Sequence, residues 1–240
     1  MKKISKIILT LCLMLLPMIN INADELEEID IEKYEVLNFK ETLESEDMKI
    51  KNSDYKENDK QTTIYLFRGQ GCAYCRKFLE FLNDISKEYG KYFKVVSFES
   101  WYDEENANLL EKISGFMGDT ARGVPFIVIG DQKFPGYSSD YDEGIKAAIK
   151  EQYEAEKKYD VIEKYNEYVK EEHKKANRAN NTIIIWNLFF IIVATVVIMV
   201  YINSKNKEIL AAINTEKTTV EKSTKKATVR KLTKKTKKEE

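Results

Sequence analysis

From Thr182 to Ile202 the sequence contains no charged residue, and no other feature constrains the fold as strongly. About twenty residues at a helical rise of 1.5 Å span about 30 Å, the thickness of a hydrocarbon core. A helix buried in a globular core would keep some polar positions, but this run, with Ile183-Ile184-Ile185-Trp186 and Phe189-Phe190-Ile191-Ile192-Val193, is apolar all round. Trp186 stands near one end and Tyr201 near the other, where interfacial aromatics sit. Asn187 is a single amide near that interface, tolerable there or usable for pairing helices. The spacing predicts one transmembrane helix over 182–202.

The N-terminus shows a second apolar run. Lys2-Lys3 precede Ile7–Met18, and Asn20-Ile21-Asn22-Ala23 follow. A basic start, a short apolar stretch and a small residue predict a secretory signal peptide over 1–23, cleaved near Ala23. An uncleaved anchor is the other reading, but the run falls short of the ~18 residues a span needs. Cys12 follows Leu9-Thr10-Leu11, and Leu11 is too large for a lipidation signal.

Charge divides along the same lines. The net charge of −1 hides an acidic body and a tail from Lys205 that carries twelve Lys/Arg against five Asp/Glu. Positive residues stay on the cytoplasmic side, so the body is predicted outside the membrane and the tail inside. Lys174, Lys175 and Arg178 on the outer flank oppose that bias, and an N-terminal export signal overrides them. The tail, 203–240, has few apolar residues and reads as a basic disordered segment in contact with anionic lipid heads. No aromatics interleave its lysines, which argues against nucleic acid.

The body alternates strands and helices. The acidic segment 24–61 contains a short alternating strand at Tyr34–Phe39, a helix start at Phe39–Leu43 and a polar loop from Ser45 to Gln61. Thr62–Phe67 reads as a buried strand, the stretch from Cys72 as a helix with Phe78, Leu79, Leu82 and Ile85 inward, and Tyr92–Phe98 as a second strand. A helix over Asp103–Phe116, a strand over Pro125–Ile129, a hairpin at Gly130-Asp131 and a strand from Lys133 follow. Asp140-Tyr141-Asp142-Glu143 has a capping-box pattern ahead of the last helix of the domain 62–154. This order predicts an α/β fold with a parallel core and an antiparallel edge. The helical pattern continues beyond Glu154 to about Asn177. Segment 155–181 is predicted to be a helical stalk, either packed on the domain or paired with another copy, with His173 as a solvated helix residue.

Three cysteines are present, and two of them, Cys72 and Cys75, are spaced Cys-Ala-Tyr-Cys between a strand and a helix. A bridge over two residues closes almost no loop, so a purely structural disulfide is the weaker reading. At a helix N-terminus, backbone N–H groups and the dipole stabilise a thiolate. Cys72 is therefore the expected nucleophile, and Cys75, one turn in, the resolving thiol. Arg68 and Arg76 are candidates for adding positive potential. A zinc site needs four ligands and this pair supplies two, so no metal is expected within one chain. A zinc-bridged dimer is a third reading.

These residues resemble the thioredoxin superfamily over about Thr62–Lys150. Cys72-Ala73-Tyr74-Cys75 after a strand and Gly123-Val124-Pro125 before the next central strand carry the resemblance. It implies a thioredoxin-like fold, a central mixed sheet flanked by helices, with Pro125 in a cis peptide facing the dithiol and Val124 offering backbone groups to a substrate chain. Taken alone, Pro125 is an ordinary strand-entry proline. Leu66–Phe78 is most similar to exported, membrane-anchored thioredoxin-like proteins of Gram-positive bacteria of the bacteriocin-transport accessory type. Tyr74 resembles the residue glutaredoxins carry before their second cysteine and is a candidate substrate contact. The chain departs from thioredoxin at Gly71, where thioredoxin has Trp, and at Leu66, where it buries an acid that assists the resolving thiol. Trp101 either borders the site or caps the core, and capping is the expectation.

The sequence thus leads to an expected membrane-anchored, extracytoplasmic thiol–disulfide oxidoreductase with no cofactor beyond the Cys72–Cys75 disulfide. Its expected partners are exported proteins with thiols or disulfides, a membrane redox partner, and lipids through the span and tail. The alternative is a non-catalytic accessory or binding module for a secretion or bacteriocin system.

Overall fold

Strand β2 (Thr62–Arg68) is buried along nearly its whole length, because its β-branched and aromatic side chains project alternately to two covered faces. The structure, a computed structural model, describes residues 26–121 and 123–236, with side chains described to residue 224. The expected signal segment lies outside the described residues. Around β2 stand β1 (Val36–Leu37), β3 (Phe93–Glu99), β4 (Phe126–Ile129) and β5 (Gln132–Pro135) in the order β1-β3-β2-β4-β5. The helices are α1 (Phe39–Ser45), α2 (Ala73–Tyr89), α3 (Glu104–Phe116), α4 (Asp142–Glu154) and α5 (Val161–Thr236).

Two cores lie on opposite faces of this five-stranded mixed sheet. Ile64 and Leu66 of β2 meet Phe78, Leu79 and Leu82 of α2, Ile145 and Ile149 of α4, and Phe39 and Leu43 of α1. Tyr65 and Phe67, one residue out of phase, meet Leu109 and Ile113 of α3 and Val161, Ile162 and Tyr165 of α5. Segment 24–61 is therefore part of the fold. Its α1 is held by a capping box between Asn38 and Glu41, and β1 pairs with β3 at the sheet edge.

The predicted parallel core is corrected. Among the described strands only β2 and β3 run parallel, and β4 is antiparallel to β2, with Phe67 opposite Phe126. The chain leaves β3 at Glu99, opposite Arg68. Helix α3 then carries it about 20 Å away. The chain turns back at Met117–Asp119, whose N–H groups donate to carbonyls at the end of α3, and β4 pairs with the last residues of β2. β4 thus starts at the end of the sheet where β2 finishes. The hairpin to β5 has Gly130 at φ +61°, as the first residue of a tight two-residue turn requires.

The predicted capping box before α4 is absent. Ser139–Tyr141 forms a 3-10 turn, and α4 starts at Asp142 without a side-chain cap. Asp140 instead accepts from Ser138, and Glu143 from Lys146.

The predicted stalk is corrected as well. Residues 155–160 are not helical, because Asp160 starts a new helix by accepting from the backbone N–H groups of Ile162 and Glu163. Val161, Tyr165 and Val169 are at most 3 % exposed, so the first turns of α5 belong to the core. Asn166 accepts from the Ile29 N–H at 2.7 Å and donates to its carbonyl at 2.8 Å. His173 is not a solvated residue: its Nε2 lies 2.8 Å from the Leu26 carbonyl oxygen. The described residues up to Lys175 form one compact unit, wider at both ends than 62–154.

A second unit begins at Ala176. Its helical segment contains the run 182–202, whose large apolar side chains are exposed. It is long and apolar enough to cross a membrane. The expected disorder of 203–240 is corrected for the described part, where the backbone stays helical to Thr236. Lys, Glu and Ala favour that state. Lys205 also pairs with Glu208, and the Thr218 and Thr219 hydroxyls donate to carbonyls one turn back.

Candidate active site

The end of β2 delivers the cysteine pair. After Arg68 the chain turns through Gly69-Gln70-Gly71, with Gly71 at φ +73°, a conformation that favours glycine. The Cys72 N–H donates to the Gly69 carbonyl at 3.0 Å. Cys72 then caps α2, and its Sγ accepts from the Cys75 N–H at 3.2 Å. Cys72 and Cys75 are disulfide-bonded with Cα atoms 5.2 Å apart. They differ in access: Cys72 is 6 % exposed and Cys75 1 %. The Cys72 sulfur thus stands at the N-terminus of α2 against a backbone N–H.

Val124 stands beside this pair, 52 residues after Cys72. The Cys72 Sγ is 3.7 Å from the Val124 carbonyl oxygen. A disulfide sulfur has no proton, so this is a contact; a reduced thiol there would have an acceptor. The Val124–Pro125 peptide is cis, and the Pro125 carbonyl accepts from the Gly136 N–H at 2.7 Å. The antiparallel β2–β4 register produces this meeting, since Phe67 and Phe126 are neighbours.

Tyr74 projects from the first turn of α2, 58 % exposed, with the Lys77 Nζ 5.3 Å from its ring centroid. Trp101 is a correction to its expected core role. Its ring is 53 % exposed and covers Gly69, where a methyl group would overlap it. Trp101 therefore borders the turn that carries Cys72.

The two arginines make their hydrogen bonds to groups other than the cysteines. Arg68 is 2 % exposed. It donates to the Glu46 carboxylate at 2.8 Å, to Ser45 Oγ at 2.9 Å and to Ser97 Oγ at 3.2 Å. Burial pushes its guanidinium below the usual range, against the pull of Glu46 and Glu99. Arg76 donates to the Glu46 carbonyl at 2.8 Å and pairs with Glu80 at 3.5 Å. Both tie α1 to the site.

Glu99 is a residue that sequence reasoning missed. Its carboxylate accepts from the backbone N–H groups of Gln70 at 3.0 Å, Trp101 at 3.2 Å and Tyr102 at 2.8 Å. Partial burial acts to raise its pKa, but these three bonds and the Arg68 charge outweigh that and hold it below the usual carboxylate range. Its only local signal is a carboxylate at a strand end, and nothing in the sequence links it to Gln70.

Among the described residues no group of three or more His, Cys, Asp or Glu is placed to hold a metal ion. Comparison with protein-family models, curated proteins and solved structures finds no match to this chain.

Proposed function

We propose that this protein is a membrane-anchored thiol–disulfide oxidoreductase with a thioredoxin-like fold, acting outside the membrane through Cys72 and Cys75. The observation that carries the reading is the juxtaposition of a helix-capping, disulfide-bonded Cys72 with the Val124 carbonyl at 3.7 Å. A disulfide used only as a staple gains little from a two-residue loop. A backbone carbonyl beside the accessible sulfur gives an extended substrate strand something to pair with.

The exchange balances without another cofactor. In the oxidised protein a substrate thiolate attacks Cys72 Sγ, the Cys72–Cys75 bond breaks, and Cys75 leaves as thiolate. A second substrate thiolate then attacks the substrate sulfur held in the mixed disulfide, forms the substrate disulfide, and releases Cys72 as thiolate. The substrate has lost two electrons and two protons to the dithiol. In reverse, the Cys72 thiolate opens a substrate disulfide and Cys75 resolves the intermediate. Turnover requires a dithiol or disulfide partner to reset the pair. The N-terminal leader, the apolar helix and the basic tail support an outward-facing domain and a cytoplasmic tail.

The test is trapping in cells. A Cys75→Ala variant leaves Cys72 without its resolving partner and should accumulate mixed disulfides, resolved on non-reducing gels. A Cys72→Ser variant should show none. If Cys75→Ala traps nothing and the purified full chain exchanges no thiols with model peptides, the proposal fails. A Cys72→Ser/Cys75→Ser strain indistinguishable from wild type would favour the accessory-module reading.

A further inference from the structure

We propose that an acidic cleft beside the dithiol docks a lysine- or arginine-bearing segment of the protein that exchanges thiols with Cys72. The proposal rests on the oxidoreductase reading and adds a substrate class to it: partners whose reactive cysteine lies near basic residues. The cleft has a volume of about 550 Å³ and lies between the turn after β2 and the start of α3. Gln70, two residues before Cys72, forms part of its wall, and Glu35, Glu99, Asp103, Glu104 and Glu105 surround it.

None of these five carboxylates forms an ion pair among the described residues. One cation lines the cleft, Arg68; it is buried, hydrogen-bonded to Glu46, Ser45 and Ser97, and its charge also acts on Glu99, so one positive charge stands against five carboxylates. Two carboxylates have structural work: Asp103 caps α3, and Glu99 holds the turn. Glu104 and Glu105 complement the α3 dipole, but both are exposed, as is Glu35. The field at the mouth of the cleft is therefore negative.

A second observation points the same way. Asn106 lines the cleft and is 0 % exposed. Its Nδ2 donates to the Glu35 carbonyl at 3.1 Å, while its Oδ1 has no hydrogen-bond partner among the described residues. A buried carbonyl oxygen can only accept, so what it lacks is a donor. An ammonium or guanidinium group supplies donors and positive charge together. A bare metal ion fits less well, since no cluster of three ligating side chains is formed among the described residues. Tyr102, 79 % exposed at the rim, offers an aromatic face to the same cations.

The test uses the full chain in nanodiscs of zwitterionic lipid and three labelled twelve-residue peptides without cysteine, bearing four Lys, four Gln or four Glu. Binding is read by fluorescence anisotropy for wild type and for a Glu35→Gln/Glu104→Gln/Glu105→Gln variant. The wild type should bind the Lys peptide about tenfold tighter than the variant does, a difference that shrinks at 1 M salt, where the Debye length is ~3 Å. The Glu peptide, which the basic tail also attracts, should not distinguish the two proteins in that direction. Equal binding of the Lys peptide by both proteins overturns the proposal. Unchanged reaction of the variant with a small uncharged disulfide confirms that its site is folded. Cysteine-bearing versions of the peptides separate the two readings. Lys-selective binding without exchange overturns the oxidoreductase function and keeps the cleft. Exchange without charge selectivity overturns the cleft and keeps the chemistry.

Discussion

The Glu99 carboxylate accepts the backbone N–H of Gln70 at 3.0 Å, linking the last residue of β3 to the turn that presents Cys72. The same carboxylate accepts from Trp101 and Tyr102. One side chain thus sets two loops relative to each other. The turn it holds contains two glycines and would otherwise have much conformational freedom to lose.

Replacing Glu99 by Ala should lower stability by about 1 kcal/mol, a figure discounted because the carboxylate is partly solvated. The pH dependence follows from the depressed pKa. A folded-state value below the unfolded one contributes stability at pH above the unfolded carboxyl pKa of about 4.3. That contribution is lost as pH falls through the folded value. Thermal unfolding of wild type and Glu99→Ala should differ at pH 7 and converge as the pH drops below about 4. A difference that stays constant across this range would show that the hydrogen bonds do not depend on the ionised form.

The Arg68–Glu46 pair is structural, and its two side chains are 3 % and 5 % exposed. Glu46→Ala leaves a buried guanidinium uncompensated and should cost about 3–5 kcal/mol. An Arg68→Met/Glu46→Met double variant should cost less than the sum of the single variants, because it removes both charges together. Denaturant unfolding measures the cycle. In the folded double variant the pH at which Cys72 becomes reactive should match wild type. A large shift of that pH would show a direct role for Arg68 at the thiolate.

The two cysteines differ in exposure, at 6 % for Cys72 and 1 % for Cys75. After reduction, iodoacetamide should modify Cys72 at least about tenfold faster than Cys75, since both access and thiolate stabilisation favour it. Peptide mass spectrometry at partial modification reads the ratio. Equal labelling would mean that the pair opens on reduction, and the assignment of Cys72 as nucleophile would then lose its physical basis.

Much of this architecture is legible locally. The charge-free run 182–202 is recognisable from composition, because a hydrocarbon core admits little else. Cys72 as the cap of α2 follows from its place between an apolar strand and a run with helical spacing, and the cap is observed. The strands were legible because alternate residues of a pleated strand meet different faces, as Ile64 and Tyr65 do. Boundaries drawn from continuous patterns fared worse. The helical pattern across 155–160 is broken by Asp160, whose two capping bonds and contact with the Tyr65 hydroxyl depend on packing.

What the sequence determined by itself was the segregation of the chain into an acidic body, an apolar span and a basic tail, together with a dithiol at a helix start. Those properties come from composition and from contacts within a few residues. The tertiary structure alone decided that β4 runs antiparallel to β2. That choice matters for the site, because a parallel β4 would have started at the far end of the sheet and taken Pro125 with it. It also decided that Arg68 turns to Glu46, that Trp101 covers Gly69, and that Glu99 holds Gln70. Each of these contacts joins residues more than twenty positions apart. Loop closure and the return path of the chain determine such pairings, and local periodicity carries no record of either.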